Sequence, residues 1–177
     1  MEMVKMNIII EGNLVSLREM DEGDIDNIIR WRNNPRVRRN FIYREDFTRE
    51  NQLKWVKDYV RTGKVLQMII CSKELNRPVG CVYFRDIDMD SLQAEYGIFI
   101  GDDEAVGKGY GTETAKLALA AAKDRLGIKR VILRVFMSNR YAIKSYMAAG
   151  FTVVKNMPGI VCSDGSAQDM VLMKCML

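Results

Sequence analysis

The chain has 177 residues, enough for one domain over 1–177 with a substantial core. Its 48% hydrophobic and 28% charged content is that of a globular protein, and no apolar run approaches the roughly 20 residues that span a bilayer. A net charge of +4 favours anionic ligands but is too diffuse to predict nucleic-acid binding, and the complete absence of histidine removes the commonest general base, the Ser–His and Cys–His nucleophile systems and most zinc sites.

Two further features concern compartment and metals. Cys71, Cys81, Cys162 and Cys175 lie far apart with no CxxC pair, which predicts free or buried thiols in a reducing cytoplasm and no metal site. The opening stretch MEMVKMNIIIEG carries an acid at position 2 and no small-residue cleavage site, so a secretory signal is not expected.

Along the chain, Leu14 to Arg18 alternate as a strand does. Asp21, with Asp24 three residues later, predicts a helix N-terminus, and Ile25, Ile28 and Ile29 form its inner face. Asn33-Asn34-Pro35 stops that helix, because the residue before proline is pushed out of helical space. Thr48 predicts the next N-cap, with Leu53, Val56, Tyr59 and Val60 at helical spacing. Val65–Ser72 and Val79–Ile87 read as a strand pair about a turn at Asn76–Pro78, and Ala94–Ile100 as a further strand. A helix follows from about Gly109 to Leu126, capped by Gly127. A buried strand at Arg130–Phe136, a short helix at Tyr141–Ala149 ended by Gly150, and two closing strands complete the order β, α, α, β, β, β, α, β, α, β, β. Short connections predict antiparallel pairing for the second to fourth strands, and the strand–helix–strand unit over 94–136 predicts a parallel crossover.

The turn before the long helix is the most distinctive stretch, with Gly107, Gly109 and Gly111 alternating in VGKGYGT. It lacks the Gly-Lys-Ser/Thr of a Walker loop, and Thr112 stands where a dinucleotide fingerprint needs its third glycine. Free N–H groups and the positive end of a helix dipole nevertheless suit a phosphate there.

VGKGYG followed by TETAKLAL resembles the Q/R-x-x-G-x-G/A pyrophosphate loop of the Gcn5-related N-acetyltransferases (GNAT). Downstream, Asn139, Ala142, Tyr146, Gly150 and Phe151 resemble that family's N-x-x-A-x-x-x-Y-x-x-x-G-F segment. Two departures stand out: Val106 occupies the usual Gln/Arg position, and Arg134 stands where some members place a glutamate.

The resemblance implies an α/β fold with a mixed, mostly antiparallel sheet of six to seven strands, splayed between strands 4 and 5 and flanked by about four helices. It implies acetyl-CoA as cosubstrate and no metal. The backbone around Phe99 and Ile100 would contact the acetyl-pantetheine arm, and Asn139 would hydrogen-bond it. The loop Val106, Gly107, Lys108, Gly109, Tyr110, Gly111 and Thr112 would hold the pyrophosphate. Tyr146 would protonate the departing thiolate, and Glu95, on the strand face of Gly97 and Phe99, is a candidate base acting through water.

The acceptor would be a primary amine on a small molecule or a protein N-terminus, with no nucleic-acid or membrane partner and with a homodimer allowed. RWRNNPRVRRNF gathers five arginines around a helix break, of which Arg36, Arg38 and Arg39 are candidates for reading negative charge on a nucleotide-linked amino sugar. A polyamine is the alternative, with Asp86, Asp88 and Asp90 able to supply acidic groups. A non-catalytic acyl-CoA-binding module is a reading of another class.

Overall fold

The computed structural model describes residues 9–177; the first eight residues of the stretch read above as lacking a signal lie outside the described residues. Eight strands form one open sheet in the order β1-β2-β3-β4-β5-β6-β8-β7. They are β1 (Ile9–Glu11), β2 (Val15–Glu19), β3 (Leu66–Ser72), β4 (Arg77–Asp88), β5 (Gln93–Ile100), β6 (Arg130–Phe136), β7 (Thr152–Val161) and β8 (Ala167–Met176). The helices are α1 (Ile25–Asn33), α2 (Pro35–Arg38), α3 (Arg49–Trp55), α4 (Tyr110–Leu126) and α5 (Arg140–Ala148). The sheet is therefore mixed and mostly antiparallel, as the resemblance implies; among the described residues it has eight strands flanked by five α-helices, against the six to seven strands and about four helices expected.

The expected caps form. Asp21 and Asp24 make a reciprocal capping box before α1, Asn34 leaves helical space ahead of Pro35, and Thr48 accepts from Asn51 N–H at the start of α3. The face predicted for the α3 segment is corrected. Leu53 and Tyr59 are exposed, whereas Gln52 and Val56 are buried, and a π-turn over Val56–Val60 continues the helix. Residues spaced as on an ideal helix therefore do not share one inward stripe here.

The two sheet faces carry different layers. Met68, Ile70, Val82, Phe84, Ala94 and Tyr96 face α4 and α5, where Ala115, Ala118 and Ala122 of α4 are fully buried and permit close approach. On the opposite face Ile69, Cys81 and Phe99 pack against Ile28 and Trp31 of α1 and Val37 of α2. The cysteines are all free, three of them buried, and burial pushes Cys81 up to about 12.

The feature that positions the site is the parallel pair. β5 and β6 pair only at Gln93↔Arg130, Ala94↔Val131 and Glu95↔Ile132, and beyond Glu95 the strands part. β5 remains paired to β4 through Ile100, and β6 to β8 through Phe136. A gap thus opens in mid-sheet between two strands that are each braced on the far side.

The start of α4 is fixed by Glu113, whose carboxylate accepts from the N–H groups of Asn13, Leu14 and Val15 in the β1–β2 turn at 2.9, 2.7 and 2.8 Å. Gly12 makes room for it, since a Cβ there would lie 2.7 Å from Glu113 Oε2. Burial pushes the Glu113 carboxyl up, but the three N–H bonds outweigh it and hold it below its ordinary 4.5. A depressed folded-state pKa stabilises above the unfolded value and is lost as pH falls through the folded one. Glu113→Gln should therefore lower stability by about 1–2 kcal/mol at pH 7. In urea titrations across pH, that deficit should shrink as the wild type is taken below about pH 4.5; a deficit independent of pH would rule out a charge-assisted clamp.

Candidate active site

The gap between β5 and β6 opens into a cavity of about 780 Å³ that reaches both sheet faces. Tyr96, Gly97, Ile98 and Phe99 of β5, Arg134 and Val135 of β6, and Asn139 and Tyr146 at α5 line the side where the strands part. Ile28 and Arg32 of α1, Phe41 and Phe47 of the loop between α2 and α3, Gln52 and Trp55 of α3 and Gln67 of β3 line the other end. Side chains from both layers meet there because the sheet between them is open.

On the α5 side, Asn139 is the N-cap, its Oδ1 accepting from Ala142 N–H at 3.2 Å, which leaves its NH₂ group available to a ligand. Tyr146 lies two turns further on and packs edge-on against Tyr96 and Phe151, with ring centroids 6.1 and 5.9 Å away. Burial, with Tyr83 adding to it, pushes the Tyr146 phenol above its ordinary value, so it holds its proton at neutral pH.

The glycine loop carries strained backbone where only glycine is at ease. Gly107 and Gly109 have φ of +76° and +80°, whereas Gly111 already lies inside α4 with ordinary helical geometry. The Lys108 ammonium donates to Glu74 Oε1 at 2.7 Å, and buried Tyr110 accepts from the Ser72 hydroxyl at 2.8 Å. Both side chains are tied back to the end of β3, Val106 is exposed, and Thr112 bonds Ser145 of α5. The loop therefore offers backbone. The first intrahelical bond of α4 runs from Glu113 N–H to Gly109, so the N–H groups of Tyr110, Gly111 and Thr112 precede it. A Cβ on Gly107 would meet nothing within 4 Å, so the loop's outer side is open to a ligand.

Phe99 turns its ring to the α1 layer, edge-on to Trp31 and Phe41, so toward the gap it offers backbone only. The Ile100 carbonyl is taken by Arg36 Nη2 at 3.1 Å.

Arg36, Arg38 and Arg39 do not line the cavity. Arg36 also donates to Asp103 at 2.7 Å, Arg38 donates to Asp46 at 2.6 Å and Asn33 at 2.8 Å, and Arg39 is exposed. Arg36 braces the end of β5 against α2, and Arg38 ties α2 to the loop that follows it. Asp86, Asp88 and Asp90 are likewise away from the cavity; Asp88 caps the β4–β5 turn by accepting from Ser91 and Asp90.

Three other arginines line it. Glu95 Oε1 accepts from Arg85 Nη2 at 3.0 Å and from Arg134 Nε at 2.9 Å. Arg32, the third, was read only as part of the five-arginine run; it follows Ile25 and Ile28 by seven and four residues, a spacing that puts it on the buried face of α1. Arg85 is the cross-strand partner of Glu95, and Arg134 lies two residues beyond Glu95's partner Ile132, so both were accessible from register once the strands were paired. Among the described residues no cluster of three or more Cys, Asp or Glu could hold a metal ion.

The profile of the acetyltransferase (GNAT) domain family matches residues 15–152. The fold is similar to that of a spermidine N-acetyltransferase from Vibrio cholerae, solved with CoA and spermine, with a TM-score of 0.84 at 20% identity, covering 93% of this chain and 96% of that one. It is also similar to a GNAT-family acetyltransferase from Bacillus anthracis, with a TM-score of 0.80 at 15% identity, covering 96% and 98%. A Methanocaldococcus jannaschii protein of uncharacterized function is 29% identical over 151 residues; the match takes in 82% of this chain but only 29% of that protein's length.

Tyr83 closes the cavity floor by lying across Gly97. A Cβ on Gly97 would sit 2.2–2.5 Å from Cζ and Cε2 of the Tyr83 ring and from its hydroxyl oxygen. Gly97→Ala should therefore cost about 1–3 kcal/mol in denaturant unfolding by displacing that ring. In a Tyr83→Ala background the same change should be nearly neutral, a coupling that a double-mutant cycle reads directly.

Proposed function

The chain belongs to the acetyltransferase (GNAT) family of acetyl-CoA-dependent enzymes, and we propose that it transfers acetyl directly to a primary amine in a ternary complex. The observation that carries this reading is the single cavity in which the parted strands, Asn139 and Tyr146 face the α1–α3 side. The pantetheine arm would enter the gap beyond Glu95 and bond the exposed edge of β5, with Asn139 donating to it. The N–H groups opening α4 would receive the pyrophosphate, aided by the helix dipole.

In the reaction, the amine nitrogen attacks the thioester carbonyl and forms the C–N bond. The C–S bond then breaks and Tyr146 passes its proton to the departing sulfur. A phenol raised by burial remains a suitable donor, because the same desolvation raises the proton affinity of the thiolate. Glu95 would accept the amine's proton through an ordered water. Its Oε1 is engaged by Arg85 and Arg134, so Oε2 is the atom left for that role.

For the acceptor, the likeness to a spermidine N-acetyltransferase favours a polyamine over a nucleotide-linked amino sugar or a protein N-terminus. One observation favours an anionic acceptor instead: three arginines and one glutamate line the cavity. An acceptor panel decides between them. Spermidine, a protein N-terminal peptide, glucosamine and a nucleotide-linked amino sugar would be compared by thiol release from acetyl-CoA. Release with none of these amines would remove the transferase reading in favour of an acyl-CoA-binding module.

Tyr146→Phe keeps the ring packing and removes only the hydroxyl. Turnover should drop by roughly 10²-fold or more while acetyl-CoA affinity stays within about twofold. A rate within about twofold of wild type would show that water protonates the thiolate.

A further inference from the structure

Arg32 is 7% exposed, and its Nη1 is buried without a hydrogen-bond partner. Its guanidinium carbon lies 3.4 Å from the ring centroid of Phe41, 4.5 Å from that of Phe47 and 5.7 Å from that of Phe99. No carboxylate pairs with it among the described residues, in contrast to Arg18, Arg36, Arg38, Arg44 and Arg85. The aromatic rings stabilise the cation through its faces but satisfy none of its in-plane N–H groups. A desolvated cation without a counter-ion is expensive to keep, and burial accordingly pulls Arg32 down to about 10. Arg32 nonetheless lines the cavity, as Glu95, Arg85 and Arg134 do.

We propose that Arg32 is an oxyanion subsite, where a phosphate or carboxylate on the amine-bearing acceptor docks edge-on against the guanidinium between the Phe41 and Phe47 rings. The geometry selects such a group. With aromatic rings beside its faces, the guanidinium is left with its planar fork of N–H donors, which a two-pronged oxyanion matches and a polyamine ammonium does not. The subsite makes Arg32 a specificity determinant for negative charge at a distance from the reacting amine, which is the role the sequence suggested for Arg36, Arg38 and Arg39. It rests on the reading of this cavity as the acceptor site.

The test uses the full chain with saturating CoA, so that the cofactor's phosphate sites are filled. Inorganic phosphate should raise the melting temperature of the wild type in a dose-dependent way, and Arg32→Met and Arg32→Lys should abolish that shift. In turnover, two matched pairs separate the sources of the charge: glucosamine 6-phosphate against glucosamine, and 4-aminobutyrate against 4-aminobutanamide. The kcat/KM ratio of charged to uncharged partner should fall about 10-fold or more in Arg32→Met for the pair whose anion the subsite takes. Arg32→Met should melt no lower than the wild type, because it removes an unpaired buried charge.

A lower melting temperature in Arg32→Met, with unchanged charge ratios in both pairs, would make Arg32 a packing residue and overturn the proposal. So would the absence of any phosphate shift in the wild type, which needs no variant to fold. If phosphate protection depends on Arg32 but no amine is acetylated, the subsite stands and the transferase reading falls. If amines are acetylated with no Arg32 dependence, the reverse holds.

Discussion

The parting of β5 and β6 after three residue pairs is the constraint on which the rest of the structure depends. A parallel pair left half-made exposes backbone N–H and C=O groups in the middle of a sheet, where unpaired groups are costly. The chain sustains this because each strand keeps its other partner: β5 is paired along its length to β4, and β6 to β8. The gap is therefore an opening braced on both edges, and an extended ligand bonding as a strand does would complete it. It also lets a residue of α5, on one face, share a cavity with residues of α1 and α3 on the other.

Two clamps hold the pieces that border this opening. Glu113 fastens the first turn of α4 to the β1–β2 turn, which fixes the direction of the N–H groups that open the helix. Arg36 fastens the far end of β5 to α2 by taking the carbonyls of Ile100 and Gly101 while pairing with Asp103. Neither clamp lines the cavity, and both involve side chains from distant parts of the sequence. They hold still the backbone that a cosubstrate would read.

Much of this was legible in the sequence, and the misses have physical causes. Strand β2 was readable because apolar and polar residues alternate in it, and the buried strand expected at Arg130–Phe136 is β6. β1 and α2, three and four residues long, carry too little periodicity to stand out. The α3 face was misread because polar Gln52 is buried toward the cavity while apolar Leu53 lies outside, and the π-turn at Val56 then departs from ideal helical spacing. The arginine cluster shows what composition cannot resolve. Five neighbouring arginines look alike as a charge run, yet Arg36 and Arg38 are neutralised by Asp103 and Asp46, and only Arg32 shares the helical phase of Ile25 and Ile28. The glycine loop was readable as a pattern, but only its backbone angles separate Gly107 and Gly109, which need positive φ, from Gly111, which does not.

A chain without histidine must manage protons by other means, and what its cavity offers is fixed charge. Burial raises the phenols of Tyr83, Tyr96 and Tyr146, so all three hold their protons across neutral pH and can donate without titrating. An amine must be neutral to attack, and it arrives in water mostly as an ammonium. Beside Arg32, Arg85 and Arg134, with Glu95 already shared between the latter two, an acceptor's ammonium would be repelled and its pKa lowered. The same cationic lining that would draw an acidic group on the acceptor would thus favour loss of the proton at its amine. Part of the work usually given to a histidine base would then fall to the electrostatics of the pocket, with Glu95 and water left to carry the proton away.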